Sequence, residues 1–551
     1  MSFAWRSWLL IDRTAWLVGV TAIVIYLPGL CWGLPHATSE IGKHGWDGDS
    51  VVGILTLAEL HNLFIQARPD WYVAYPLFHY LVLGFCYVPY LTGLWLTGGL
   101  SAPSGEYPYG LADPVETLAV LALVGRLVTL FMACGIVVAA YLTARTLWDR
   151  TTGVLAAAAA MLTQPMFYYA RTGNLDVPVL FWTAVGLYMA ARILTSGFTT
   201  RRGAWLGVVV ALAVATKDQA YGAWVFGLVA LVILVSWRQR LSIGHCWPML
   251  LSAAAVYGLA SGLILSPKRF VAHVRFILDF NKAANVVVQF PDLLRPATFR
   301  GRALLLLENS EVLLEAVGPV LLVAALAGLW MTWRGTVFVR VLIAMAIGYA
   351  GLVLIPVQHV QYRYLMFPAY VVAFPAARAL VLAFRGRTWT KAVAVAAAVT
   401  GFGHMAAKGV DLTYQMLFDA RQEAGLWLAK QCSPGDQLTF FGSYNQLPAL
   451  PRGVQAWQMP KDASIPGIWQ QKRVRFVLVI PDFSSSPGME WNRFIPEPVY
   501  KGLNDGSLGY EKVAHFRTPP LLGRPLKYLP FVNSSVQIYT PAGDSLTGRT
   551  Y

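Results

Sequence analysis

The sequence predicts a polytopic α-helical membrane protein with about eleven transmembrane helices, a large first extracytoplasmic loop and a small C-terminal α/β extracytoplasmic domain. Three observations predict this fold class. Hydrophobic residues make up 56% of the 551-residue chain and charged residues only 13%, about half the charge of a typical soluble domain. Apolar runs of about 20 residues recur along most of the chain. From Lys408 onward the composition becomes polar, with many Pro and Gly residues.

Each transmembrane helix needs about 20 mainly apolar residues to cross the hydrocarbon core of a bilayer. The apolar stretch ending at Leu96 is instead assigned to an interfacial or re-entrant helix, because a span there would reverse the arginine bias of every later loop. The predicted spans are Ala15 to Leu34, Thr117 to Thr143, Gly153 to Tyr169, Val177 to Leu194, Ala204 to Thr216, Tyr221 to Trp237, Pro248 to Leu265, Leu314 to Trp333, Val339 to Ile355, Tyr364 to Phe384 and Ala392 to Met405.

The arginines of the short loops predict the orientation. When these spans alternate, the arginine-rich loops fall on one side, beginning with Arg6 and Arg13 and ending with Arg385 and Arg387. Short loops rich in Lys and Arg stay in the cytoplasm. We therefore expect a cytoplasmic N-terminus and an extracytoplasmic C-terminus. The net charge of +15 reflects this topology rather than nucleic-acid binding, because the sequence shows no compact basic and aromatic module.

The composition shift divides the chain into a transmembrane domain, 1–407, and an extracytoplasmic C-terminal α/β domain, 408–551. In the second domain an amphipathic helix, Leu412 to Gln431, precedes runs of strand character. These runs are Gln437 to Phe441, Val474 to Ile480, Lys512 to Phe516 and Val536 to Tyr539. About 140 residues can bury a core of their own. Asn533-Ser534-Ser535 also matches a glycosylation acceptor sequence.

Two carboxylates stand directly after the first predicted span, in the segment Gly45-Trp46-Asp47-Gly48-Asp49-Ser50. The following residues, Val51 to Phe64, have the apolar spacing of a helix lying along the interface. A carboxylate at a membrane face suits general-base catalysis, and a pair of carboxylates can hold a divalent cation such as Mg²⁺ or Mn²⁺. Asp47 and Asp49 are therefore candidates for catalysis and for metal binding, although the pair does not require a metal.

Further ionisable residues lie at the predicted outer ends of the spans, where they are costly unless paired or hydrated. They are Arg126, Arg171, Asp176, Lys217, Asp218, His359 and Arg363. Several have a structural alternative: Asp176 suits helix capping, Lys217 suits a polar turn, and Arg363 suits a headgroup-facing arginine. Their shared face favours a functional site, in which the cations would meet phosphate oxygens.

Several segments resemble the GT-C superfamily of polyprenyl-phosphate-sugar-dependent membrane glycosyltransferases, specifically the bacterial protein-mannosyltransferase-like and aminoarabinose-transferase-like branch. The resemblance covers roughly residues 10 to 410. It lies in the acidic first loop, in YPLFHY at Tyr75 to Tyr80, in the block from Gly125 to Trp182, in ALAVATKDQAYG and in RYLMFPAY. The resemblance rests on the order and spacing of these segments, since no single motif is diagnostic.

The resemblance implies a multi-pass enzyme of the bacterial inner (plasma) membrane. Its substrates would be a polyprenyl-phosphate-linked sugar and an extracytoplasmic protein, lipid or glycan hydroxyl. Asp47 or Asp49 matches the catalytic acid of the first loop, and Asp176 matches a second acidic position. Lys217 and Arg363 match basic positions near the lipid phosphate, and Arg171, Arg126 and His359 are further candidates for substrate binding. This sequence has Asp-Gly-Asp where many members have adjacent Asp-Glu, so which aspartate is the base stays open, with a preference for Asp49.

Two other functions fit the sequence. A transporter or flippase for a lipid-linked saccharide would need charges at the bilayer midplane and repeated architecture, whereas the charges here cluster at one face. A catalytically silent assembly subunit would share the fold without the reaction, because fold does not determine function. The sequence leaves the sugar, the acceptor and the metal open.

Overall fold

The computed structural model describes residues 12–48, 50–66, 73–240, 243–280, 295–459, 468–469, 472–480, 495–524, 526, 528–529 and 531–543. These residues are mostly helical, with one small sheet. The helices before the sheet are α1 (Arg13–Tyr26), α2 (Ile54–Phe64), α3 (Phe78–Leu96), α4 (Pro114–Leu147), α5 (Arg150–Met161), α6 (Gln164–Tyr169), α7 (Asp176–Ser196), α8 (Thr200–Thr216), α9 (Ala220–Gln239), α10 (Trp247–Ala260), α11 (Pro267–Phe280), α12 (Phe299–Val317), α13 (Pro319–Thr332), α14 (Val337–Tyr349), α15 (Met366–Phe384), α16 (Thr388–Leu417) and α17 (Ala420–Gln431).

The chain is an integral membrane protein, since seven of its described helical segments are long and apolar enough to cross a bilayer. The number rises to eight if α12 and α13, which are bent by 107° at Gly318, form one broken span. The seven are Phe78–Leu96, Pro114–Leu147, Asp176–Ser196, Ala220–Gln239, Val337–Leu354, Tyr362–Phe384 and Thr388–Gln431. The orientation of the termini stays a prediction.

This number differs from the predicted eleven because several apolar runs form helices that are too short. Helix α1 ends at Tyr26, before Pro28, and α10 ends at Ala260, before Gly262 with a φ of +91°. A helix of 14 residues is about 21 Å long, less than the roughly 30 Å hydrocarbon core. The predicted span from Gly153 to Tyr169 is split between α5 and α6, where Pro165 stands in the first turn of α6.

The assignment of the stretch ending at Leu96 to the interface also changes. Residues Phe78–Leu96 contain no Asp, Glu, Lys or Arg and form a 19-residue helix of sufficient length and hydropathy to cross. The arginine bias that argued against a span depends on counting later runs whose helices are shorter than a typical span. Helix α3 is therefore a candidate span.

The described chain divides into two compact units, each drawn from several segments. We call the first the helical unit; it consists of the described parts of Met1–Pro28, Asn62–Phe85 and Arg126–Val410. Within it α8 packs on α10, α9 on α14, and α13 on α15. Small residues permit close packing: a Cβ at Gly328 of α13 would lie 1.9 Å from the carbonyl oxygen of Pro375 in α15.

The second, the sheet unit, consists of the described parts of Gly29–His61, Cys86–Gly125 and Asp411–Tyr551. Its five strands lie in the order β2, β1, β3, β5, β4, with β1 parallel to β2 and β3, and β5 antiparallel to β3 and β4. The strands are β1 (Gln437–Phe441), β2 (Gln455–Gln458), β3 (Phe476–Val479), β4 (Tyr510–Phe516) and β5 (Val536–Pro541), with helix α18 (Glu497–Asn504) before β4.

The sheet has an apolar core on each face, as the alternation of its strands requires. Leu438 and Leu478 face one core together with Leu428 of α17, while Val477 and Val479 face the other. Ile41 of the first loop packs against the α17 side. Four strands were predicted from sequence; β2, which lies at an edge and is only partly buried, was missed.

The predicted amphipathic helix from Leu412 to Gln431 is wrong in one respect, because the chain breaks between α16 and α17. Asp419 adopts an extended backbone there, and its carboxylate accepts a hydrogen bond from the backbone N–H of Arg421. A side chain that caps a helix in this way starts a new helix rather than continuing the old one.

Candidate active site in the helical unit

Lys217 and Asp176 form a buried ion pair in the helical unit. Lys217 Nζ lies 2.7 Å from Asp176 Oδ1, and both side chains are about 95% buried, with 5% and 4% of their surfaces exposed. Asp176 is the first residue of α7, and Lys217 directly follows the last residue of α8. An acid at a helix N-terminus and a base at a helix C-terminus each interact favourably with the helix dipole. The local fold therefore stabilises both charges where the pair forms.

Two tyrosine rings lie beside Lys217. Its Nζ is 5.9 Å from the ring centroid of Tyr75 and 5.9 Å from that of Tyr364. These distances are within the range of cation–π attraction. The second oxygen of the carboxylate, Asp176 Oδ2, has no hydrogen-bond partner among the described residues.

Arg363 lies at the same site. Its Cζ is 5.4 Å from the Tyr364 ring, so this ring is near both cations. Arg363 and Asp176 also line one cavity of about 30 Å³, together with Gln219, Thr183 and Tyr349. A cavity of this volume holds about two water molecules or a hydroxyl group.

His359 adjoins this cluster through a contact with the Tyr364 ring, with ring centroids 6.1 Å apart. Its Nδ1 lies 2.8 Å from the carbonyl oxygen of Val357, and its Nε2 lies 2.7 Å from Gln361 Nε2. Burial and the nearby Arg363 lower the pKa of His359, although the contact with Val357 raises it. His359 is therefore neutral at pH 7, and Arg363 and Lys217 are the cations of this cluster.

Helix α11 contacts the segment before α3 and the turn after Lys217. Arg269 donates to the carbonyl oxygen of Tyr75 at 2.9 Å, and His273 Nδ1 lies 3.0 Å from that of Val73. His273 Nε2 lies 3.2 Å from Asp218. Arg269 and His273 thus hold the backbone at Val73 and Tyr75, and His273 also contacts the side chain of the residue after Lys217.

Two other predicted residues have local contacts of their own. Arg171 donates to the carbonyl oxygen of Ile25 at 2.8 Å, and its guanidinium lies 5.6 Å from the Phe167 ring. Burial lowers the pKa of Arg171 to about 10, so it remains charged at neutral pH. Arg126 is completely buried in α4. The structure brings together Asp176, Lys217, Arg363 and His359, and substrate binding by Arg171 and Arg126 stays a prediction.

Asp47 belongs to the sheet unit and is 4% exposed. Its backbone carbonyl accepts from Ser50 N–H at 2.8 Å, which closes a tight turn. Asp49 lies outside the described residues. Within the described ranges no three His, Cys, Asp or Glu side chains form a group that could hold a metal ion, so a metal site built from Asp47 and Asp49 stays a prediction.

The sequence did not single out Tyr75, Tyr364 or His273 as site residues. Both tyrosines stand in segments that carry the resemblance, YPLFHY and RYLMFPAY, beside residues with obvious charge. A tyrosine near a span end is usual at a membrane interface, and only the fold shows that both rings reach one lysine.

No protein-family model matches the chain, and no curated protein matches it. Solved structures do. The chain is similar to ArnT from Cupriavidus metallidurans bound to undecaprenyl phosphate, with a TM-score of 0.46 and 12% identity, over 99% of this chain and 100% of that chain.

It is also similar to the Archaeoglobus fulgidus oligosaccharyltransferase in complex with Zn and sulfate, with a TM-score of 0.45 and 12% identity, over 91% of this chain and 72% of that chain. For the arabinofuranosyltransferase AftD from Mycobacteria the TM-score is 0.45 and the identity 15%, over 97% of this chain and 40% of that chain.

Proposed function

We propose that this chain is a membrane glycosyltransferase that moves a sugar from a polyprenyl-phosphate donor to an extracytoplasmic hydroxyl. The observation that carries the proposal is the cluster of Lys217 and Arg363 around Tyr364, with Asp176 beside both. Two cations at the ends of membrane helices suit the phosphate of a lipid whose chain lies in the bilayer.

The reaction is one inverting displacement. The acceptor oxygen attacks the anomeric carbon, and the bond from that carbon to the phosphate oxygen breaks. The acceptor proton goes to a carboxylate acting as general base, and polyprenyl phosphate leaves with the bonding electrons. The leaving group is already anionic and needs no proton, so stabilisation of its charge by Lys217 and Arg363 is the contribution expected of the cations.

Asp176 has a dual role in this proposal. Its Oδ1 holds Lys217 in place at 2.7 Å, while Oδ2 is available to a hydroxyl or a water in the adjoining cavity. Asp47 or Asp49 of the first loop is the general base. No step of the reaction is assigned to a metal ion.

The test is an assay that requires neither the sugar nor the acceptor to be known. Full-length protein in lipid nanodiscs is incubated with polyprenyl-phosphate donors carrying different hexoses or pentoses and with a cell-envelope extract, and release of polyprenyl phosphate is measured. Asp47→Asn and Asp49→Asn are compared with Asp113→Asn, which removes an exposed carboxylate of the same unit.

We expect release by the wild type and by Asp113→Asn, and a loss of about 10²- to 10⁴-fold in the variant that lacks the base. Full activity in both first-loop variants would refute the assignment of the base. Donor movement across proteoliposome membranes without release of polyprenyl phosphate would favour a flippase. Neither release nor movement with any donor would favour a silent assembly subunit.

A further inference from the structure

A fully buried cation lies against the loop that carries Asp47. The guanidinium Cζ of Arg421, from the first turn of α17, is 4.0 Å from the ring centroid of Trp46 and 5.6 Å from that of Trp32. The two indole rings meet edge to face with centroids 6.0 Å apart. All of these residues belong to the sheet unit.

Asp419 fixes the orientation of this guanidinium. Arg421 Nε donates to Asp419 Oδ1 at 2.8 Å, and Nη2 donates to Oδ2 at 2.6 Å, a bidentate pair in which both side chains are 0% exposed. Nη2 also donates to the carbonyl oxygen of Phe531 at 2.6 Å. Asp419 Oδ2 further accepts the indole N–H of Trp32 at 2.9 Å. Carboxylate, guanidinium and indole therefore form one rigid network.

Trp46 is fixed by two further hydrogen bonds. Its backbone N–H donates to the carbonyl oxygen of Gly33 at 2.9 Å, and its indole N–H donates to that of Leu447 at 2.7 Å. Gly33 has a φ of +53°, and a Cβ there would lie only 2.5 Å from Trp46 Cβ. Only glycine fits at position 33 so close to Trp46. The indole of Trp46 in turn contacts the C-terminal segment at Leu447.

Stability alone does not explain this arrangement. Replacing a buried ion pair by apolar residues of similar volume often leaves stability unchanged or raises it. A planar, bidentate guanidinium instead fixes the orientation of the rings that it contacts. The residue that follows Trp46 is Asp47, whose backbone has little freedom once that ring is fixed.

We propose that Arg421 is a positioning residue for the first-loop carboxylate: by stacking on Trp46, it lets the C-terminal segment determine where Asp47 lies. This inference rests on the proposed function, in which Asp47 or its neighbour Asp49 takes the acceptor proton. The C-terminal domain then contributes to catalysis without touching the reacting atoms.

The test varies the stacked ring as well as the cation, because Arg421→Gln leaves a buried carboxylate and can prevent folding. Trp46→Phe keeps an aromatic face for Arg421, whereas Trp46→Leu removes it. Arg421→Lys keeps a positive charge beside Asp419 but removes the planar guanidinium that stacks on Trp46. Arg452→Gln is the matched control, since it breaks an exposed Arg–Asp pair of the same unit, with Asp113.

Two measurements are made on the full-length protein. Hydrogen–deuterium exchange compares peptides covering residues 42–53 with peptides from β1 and β3. Release of polyprenyl phosphate gives kcat and the KM for the donor. We expect Trp46→Leu and Arg421→Lys to speed exchange in the loop but not in the sheet, and to lower kcat about 10- to 100-fold with KM unchanged. Trp46→Phe should keep both the exchange rate of the loop and kcat close to the wild-type values.

Unchanged loop exchange in Trp46→Leu and Arg421→Lys would overturn the inference. So would faster exchange in loop and sheet together, which indicates a structural role only, or an equal effect of Arg452→Gln. If the wild type itself releases no polyprenyl phosphate, the proposed function fails and the exchange measurements alone decide whether Arg421 positions the loop.

Discussion

Lys217 Nζ and Asp176 Oδ1 lie 2.7 Å apart and join the end of α8 to the start of α7, with both side chains nearly inaccessible to solvent. Buried charges of this kind are costly unless they are paired. The pair therefore holds a cation inside the helical unit, beside Arg363 and the cavity that both Asp176 and Arg363 line.

Breaking this pair should destabilise the protein strongly. We expect Lys217→Met and Asp176→Asn each to cost about 3–5 kcal/mol, because each leaves the other charge buried and unpaired. The double variant should cost less than the sum of the two. Lys501→Met, which breaks an exposed helical pair with Glu497, should cost only about 0.3–0.5 kcal/mol. Reversible unfolding in mixed micelles measures all four, and additive effects of the two single changes would contradict the coupling.

The Tyr364 ring should matter for the donor. Tyr364→Leu removes the face near Lys217 and Arg363, and we expect the KM for a polyprenyl-phosphate donor to rise about 2- to 30-fold. Tyr364→Phe retains the face and should bind the donor normally. Tyr188→Leu, at a partly buried tyrosine that accepts from Arg192, is the control. An equal rise in KM for the Phe and Leu variants would assign the effect to the hydroxyl instead.

The sheet unit should lose stability in acid through His44. Burial, followed by the neighbouring Lys43, lowers the pKa of His44 from 6.5 to about 4, although Asp47 and Glu40 act in the opposite direction. Between these pH values the unfolded chain binds a proton that the folded chain does not, so the free energy of unfolding falls by about 1.4 kcal/mol per pH unit as the pH drops.

His44→Gln should therefore flatten the dependence of the unfolding midpoint on pH between 6.5 and 4 without removing it, because burial also lowers the pKa of His36. The comparison needs thermal unfolding curves at several pH values in one detergent. A wild-type midpoint that does not fall over this range would show that His44 is accessible to protonation in the folded protein.

Asn533 should be structural although it begins a glycosylation acceptor sequence. It has a φ of +54°, its Oδ1 accepts from Ala420 N–H at 3.1 Å, and its Nδ2 donates to the carbonyl oxygen of Thr518 at 2.7 Å. We expect Asn533→Ala to cost about 2 kcal/mol through these two hydrogen bonds. Ser535→Ala destroys the acceptor sequence but keeps Asn533, and a loss of stability as large as that of Asn533→Ala would contradict the structural role. Unfolding midpoints measure both.

Secondary structure in the C-terminal segment was largely predictable, because strand alternation is a local property. The run Gln437 to Phe441 coincides with β1, whereas β2 was missed because its residues are only partly buried. The number of spans was less predictable. Whether an apolar run crosses a bilayer depends on where its helix ends, and the ends at Tyr26 and Ala260 follow from turns that hydropathy does not record.

The residues of the candidate site were likewise predictable only in part. Lys217, Asp176 and Arg363 could be singled out because charge beside apolar sequence is rare and costly. Tyr75 and Tyr364 could not, since aromatic residues are common at span ends.

By itself, the sequence determined that this protein lies in a membrane, that charge gathers at the ends of its helices and that a polar α/β segment follows, because composition and periodicity are properties of neighbouring residues. Only the tertiary structure decided that Lys217 pairs with a carboxylate 41 residues away and that Arg421 stacks on a tryptophan of the first loop. Both contacts join segments that are distant in sequence, and such pairing depends on how the helices and the sheet pack.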